Sequence, residues 1–73
     1  MSKPYRYEVI IYWSREDNVF VADVPELPGC MAHGTTHEAA LREAKKAMDL
    51  WVETAKAKGK PVPKPKGRRL LLA

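Results

Sequence analysis

Between Val24 and Cys30 the chain reads Val-Pro-Glu-Leu-Pro-Gly-Cys, and no regular element can run through that heptapeptide. Pro25 and Pro28 offer no backbone N–H, and Gly29 admits a positive φ. The run therefore divides the sequence. Before it, apolar residues recur at every second position; after it, at every third and fourth. A β-hairpin is expected first and a helix second, joined by a sharp reversal.

In the first part, Tyr5, Tyr7, Val9, Ile11 and Trp13 alternate with Arg6, Glu8, Ile10 and Tyr12, which predicts a strand from Tyr5 to Ser14 with one buried face. Arg15-Glu16-Asp17-Asn18 suits a hairpin loop, because Asp and Asn tolerate turn geometry. Val19 to Val24 is the returning strand. Cys30 to His33 is a short third strand that ends at Gly34.

Thr35 followed three residues later by Glu38 has the pattern of a capping box, which satisfies the open backbone donors of a helix start. Ala40, Leu41, Ala44, Ala47, Met48, Trp51, Val52 and Ala55 then form one apolar stripe. Arg42, Glu43, Lys45, Lys46, Asp49, Glu53 and Lys56 lie opposite, and Gly59 is the expected stop. Pro61, Pro63 and Pro65 enforce an extended connector. The final Leu70-Leu71-Leu72 is expected as a strand beside the first, through a right-handed crossover, or as a tail on a second subunit. The expected fold class is α+β: a small antiparallel sheet packed by one long helix, in the order β-β-β-α-β.

At 73 residues the chain is expected to be a single domain, 1–73, with a basic, proline-rich C-terminal segment at 60–73. A domain this small buries only about 60% of the surface of its unfolded chain, so self-association is a natural remedy for marginal stability and a homo-oligomer, a dimer or higher, is expected. No stretch approaches the roughly 20 apolar residues of a membrane span, and no signal-peptide core follows Met1. One cysteine cannot form an internal disulfide, and the cytoplasm is the expected compartment. The net charge of +4 is unevenly spread. Lys3, Arg6 and Arg15 precede Cys30 against Glu8, Glu16, Asp17, Asp23 and Glu26, whereas Lys56, Lys58, Lys60, Lys64, Lys66, Arg68 and Arg69 crowd the end. A basic segment of this kind reads first as solvated surface, and second as a nucleic-acid contact.

Reaction chemistry finds little to use. Glu8 and Asp23 fall on neighbouring strands, but two isolated acids do not make the carboxylate cluster that a metal-dependent nuclease needs. Cys30, His33 and His37 have a zinc-like spacing, yet structural zinc wants four ligands and no fourth Cys or His exists. A Cys–His nucleophilic pair lacks an orienting group. The glycines at 29, 34, 59 and 67 are too far apart for a phosphate loop. Trp13 and Trp51 both fall on predicted core faces and are read as packing residues. No metal, cofactor or catalytic residue is expected, and the chain reads as a binding module.

The order of these features resembles the HicB-like antitoxin family. The resemblance is carried by Phe20-Val21-Ala22, the run Pro25 to Cys30, Gly34, Thr36, Glu38-Ala39, Gly59, Pro63 and Pro65, and it extends from about Tyr5 to Pro65. It implies a partial RNase H-like fold and an antitoxin role, in which the partner is a HicA-type toxin, a small basic ribonuclease neutralised by covering its active surface. Two-domain members carry a helix-turn-helix or ribbon-helix-helix element. The chain's end at Ala73 leaves no room for one, so DNA binding is not expected. Pro25, Glu26, Leu27 and Pro28 are the expected partner contacts, since two prolines stiffen the loop and lower its entropic cost of binding. The loop has an equally simple second role, closing the sheet.

Overall fold

The computed structural model describes residues 6–65. Strands β1 (Ile10–Ser14), β2 (Val19–Asp23) and β3 (Met31–Gly34) precede one helix, α1 (His37–Ala57). The strands form an antiparallel sheet in the order β1-β2-β3, so the α+β class and its first four elements are as expected. The expected last strand, Leu70–Leu72, lies outside the described residues.

β1 starts at Ile10, not Tyr5. The register explains the difference: Ile10 pairs with Asp23, so extending β1 backwards would set Glu8 against Pro25, which has no N–H to give. Tyr7 is nevertheless buried, and Val9 packs beside it. The β1–β2 loop closes through Asn18 N–H donating to Ser14 O at 2.8 Å. Asn18 takes a φ of 59°, a conformation its short polar side chain tolerates.

The helix covers one face of the sheet. Ala22, Ala40 and Ala44 are fully buried together, with Val9, Ile11, Phe20 and Ala32 packed around them. Alanines at the contact let α1 lie close to the strands. Further along, Met48 joins Tyr7, Val24, Leu27 and Cys30 in a second cluster, with Ala47 and Trp51 at its margin. The buried stripe of α1 is Ala40, Ala44, Met48, Val52 and Ala55, within the positions read from the spacing. Opposite faces of the strands carry Ile10 and Tyr12, Val21 and Asp23, and Met31 and His33, with no helix over them.

Two expectations need correction. The N-cap is Thr36, whose hydroxyl accepts from Ala39 N–H at 2.9 Å, so Thr35 and Glu38 do not form a capping box. Gly34 decides where the helix can start: its Cα faces the backbone of Ala39 and Ala40, and a Cβ there would lie 2.6 Å from Ala40 N. Trp13 is the second. It is 47% exposed and meets Phe20 edge-on with ring centroids 5.0 Å apart. Trp13 lies near the end of β1, beyond the helix-covered part of the sheet, and among the described residues it is left half-exposed. At the other end of α1, Gly59 (φ 70°) stops the helix as expected. Lys60 N–H donates to Ala55 O and Gly59 N–H to Lys56 O, the two bonds of a Schellman motif.

Candidate partner-binding surface

The Val24–Cys30 loop consists of two successive turns. Leu27 N–H donates to Val24 O at 3.1 Å, and Cys30 N–H donates to Leu27 O at 2.9 Å. Val24 N–H donates to Cys30 O at 3.0 Å and closes the neck. Gly29 takes a φ of 81°, which lets the second turn re-enter the sheet. The paired reversals turn Leu27 inward, where it is fully buried among Tyr7, Val24, Cys30 and Met48. Leu27 is therefore a core anchor and is not displayed to a partner. Pro25, Pro28 and Gly29 are exposed, and Glu26 is half-buried.

Two aromatic side chains fasten this region. Trp51 Nε1–H donates to Pro28 O at 2.9 Å, so the helix grips the tip of the loop. The Tyr7 hydroxyl donates to Pro63 O, which ties the proline segment to the same cluster. Each ring buries an apolar body and spends its polar tip on a proline carbonyl. Trp51 is thus half-buried on the stripe where it was expected, with a hydrogen bond that spacing does not reveal.

The buried thiol and phenol here hold their protons. Burial pushes the Cys30 thiol above its ordinary pKa, and the charge of Asp23 adds to the effect. Burial likewise raises the Tyr7 phenol, reinforced by Glu26. A buried, protonated thiol is a poor nucleophile and metal ligand. His33 is exposed on β3, and His37 stacks on Phe20 with centroids 4.1 Å apart. Among the described residues, no three of His, Cys, Asp and Glu gather closely enough to hold a metal ion, so Glu8 and Asp23 gain no third acid. No helix among them is long and apolar enough to cross a membrane.

Beside the loop runs a groove of about 530 Å³, walled by Pro28 to Met31 on one side and by Ala47, Leu50, Trp51 and Thr54 of α1 on the other. Leu50 is 69% exposed and Met31 is 51% exposed, high values for large apolar side chains. Residues 7–70 match the model of the HicB-like antitoxin of bacterial toxin–antitoxin systems. This chain belongs to the HicB-like antitoxin family. A UPF0150 protein of Synechocystis sp. is 42% identical over 57 residues, covering 78% of this chain and 77% of its own. A UPF0150 protein of Thermoplasma acidophilum is 37% identical over 59 residues, covering 81% and 84% respectively. No solved structure matches.

In this HicB-like chain the conspicuous surface residues are ones that sequence reasoning passed over. Leu50 stands off the stripe, between Asp49 and Trp51, and belongs to neither predicted face. Its position, two residues past the buried Met48 and two before the buried Val52, was the available sign that it points elsewhere.

Proposed function

We propose that this chain is an antitoxin that neutralises a HicA-type ribonuclease by covering its active surface, and that it catalyses no reaction itself. Membership of the HicB-like family carries this reading. The proposed contacts are the solvent side of the loop, Pro25, Glu26 and Pro28, while Leu27 holds the loop's shape from beneath. From Arg6 to Gly34 there are five carboxylates against two arginines, so this half of the chain is acidic although the whole chain is basic. Glu26 is the carboxylate within the proposed contact, and a negative charge there is suited to a basic ribonuclease. The same proposal includes a single cytoplasmic domain with a partial RNase H-like fold.

Co-expression with HicA-type toxins from the same genome tests the reading. Growth rescue and co-purification of a complex are expected, and loss of rescue on Glu26→Lys is expected to identify the loop. Failure to rescue from any of them would remove the antitoxin role; rescue unchanged by Glu26→Lys and Pro28→Asp would move the contact elsewhere. The second reading, a small nucleic-acid-binding protein, draws on the exposure of Lys56, Lys58, Lys60 and Lys64. It requires binding to RNA or DNA at low salt that weakens steeply as salt is added.

A further inference from the structure

Among the described residues β3 is an edge of the sheet, and its open side has a specific hydrogen-bonding pattern. Val24 and Cys30 extend the β2–β3 register by one pair, and Val24 N–H bonds to Cys30 O. Hydrogen-bonded and non-hydrogen-bonded pairs alternate in an antiparallel ladder. Ala22 and Ala32 therefore bond to each other, whereas the N–H and C=O groups of Met31 and His33 point away from β2. The edge thus offers two donors and two acceptors within four residues. Natural edges are blunted by proline, lysine or a bulge. Met31–Gly34 carries no proline, lysine, arginine or carboxylate.

We propose that a second copy of this chain adds to that edge, pairing β3 with β3 about a two-fold axis at Ala32. Side-chain parity limits the register. The two helices must lie on one face of a continuous sheet, so residues pointing to the same side must pair. Met31 opposite the partner's His33, with Ala32 opposite the partner's Ala32, satisfies this rule. It uses all four outward groups on each strand in four hydrogen bonds. A shift by two residues would bring Thr35 or Cys30, outside the strand, into the pairing.

The layer above the edge is also suited to its own copy. Glu43, Lys46, Ala47 and Leu50 border the cleft between α1 and β3, together with Met31, Ala32 and His33. Lys46 and Glu43 form an exposed pair at 3.3 Å, so this border has no net charge. A two-fold copy runs its helix antiparallel and offers Lys46 to the partner's Glu43 and the reverse, a self-complementary arrangement. Leu50 and Met31, the two most exposed large apolar side chains among the described residues, flank the junction. A strongly basic partner gains nothing from this border, which makes the inference independent of the toxin reading.

Sedimentation equilibrium and amide hydrogen exchange on the full chain test the proposal. The wild type should show twice the 8.3 kDa chain mass, with Met31 and His33 amides protected and their protection lost on dilution. His33→Pro deletes an outward N–H and leaves the bonds to β2, so it should give a monomer with an unchanged circular dichroism spectrum. Met31→Lys with Leu50→Lys changes exposed side chains only, and should do the same if the proline variant does not fold. A monomeric wild type would overturn the proposal. So would protection of both amides at monomer mass, or a dimer that survives both sets of substitutions.

Discussion

At the scale of single residues, Gly34 and Leu27 have opposite vulnerabilities. A methyl group on Gly34 would lie 2.6 Å from Ala40 N and 2.7 Å from Ala39 C, both backbone atoms that cannot swing aside. Gly34→Ala is therefore expected to cost about 1–3 kcal/mol, the usual range for overpacking, read as a lower urea midpoint at unchanged slope. Leu27→Ala leaves a void instead and should cost about 3 kcal/mol, whereas Pro25→Ala on the exposed side of the same loop should cost far less. The run Pro-Glu-Leu-Pro shows that a sharp reversal is needed, but only the turn hydrogen bonds determine which side chain faces inward. That is why Leu27 reads as a contact residue in the sequence and is a core residue in the fold. The buried thiol and phenol give a pH prediction. Both have folded pKa values raised above their unfolded ones, so their contribution is complete below the ordinary thiol pKa of about 8.5 and is lost as pH rises through the raised values. Urea midpoints should be flat from neutral pH to there and fall beyond it, with a shallower fall in Cys30→Ala.

At the scale of elements, the helix was legible because 21 residues repeat one stripe, whereas its first turn was not. Thr35 and Thr36 are chemically equivalent candidates, and the capping-box spacing favours the first. The choice falls to Thr36 because Gly34 must pack against Ala39 and Ala40, and this fixes the phase at which α1 meets β3. Glu38 then sits in the first turn, where its charge favours the helix dipole without closing a box. Thr36→Ala should lower stability by about 1 kcal/mol in thermal or urea denaturation, and Thr35→Ala by no more than a few tenths. A reversed order would return the cap to Thr35. The strands show the same division between pattern and context. The alternation before β1 is seen in Tyr7 and Val9, which pack inward, but pairing also needs a partner with an N–H. Pro25 withdraws one, so Tyr7 and Val9 lie beside the core without joining the sheet. Trp13 is the converse case: it is paired and correctly phased, yet it lies beyond the reach of the helix that would cover it.

At the scale of the whole molecule, the net charge of +4 conceals a polarity that matters for any partner. Two arginines face five carboxylates from Arg6 to Gly34, while seven basic residues face four acidic ones from Thr35 to Pro65. The composition alone counts against a basic toxin; the distribution does not, because a partner meets one face at a time. The two proposed interfaces differ in physical character. Docking of a basic ribonuclease on the Pro25–Pro28 side, as proposed, would be steered by charge, and exposed charges are screened as the Debye length falls from about 10 Å at 0.1 M salt to about 3 Å at 1 M. The β3 edge carries only backbone groups, Met31, Ala32, His33 and Gly34, with a balanced Glu43–Lys46 pair above it, so added salt has little net charge to screen there. Stopped-flow association with a HicA-type toxin should therefore slow by roughly tenfold or more over that salt range, mainly through the on-rate. The sedimentation mass of the antitoxin alone should stay constant across the same range. A salt-insensitive on-rate would argue that the toxin is held through an apolar surface such as the Leu50–Trp51 groove. Dissociation of the homodimer by salt would place ion pairs, and not the open strand edge, at its centre.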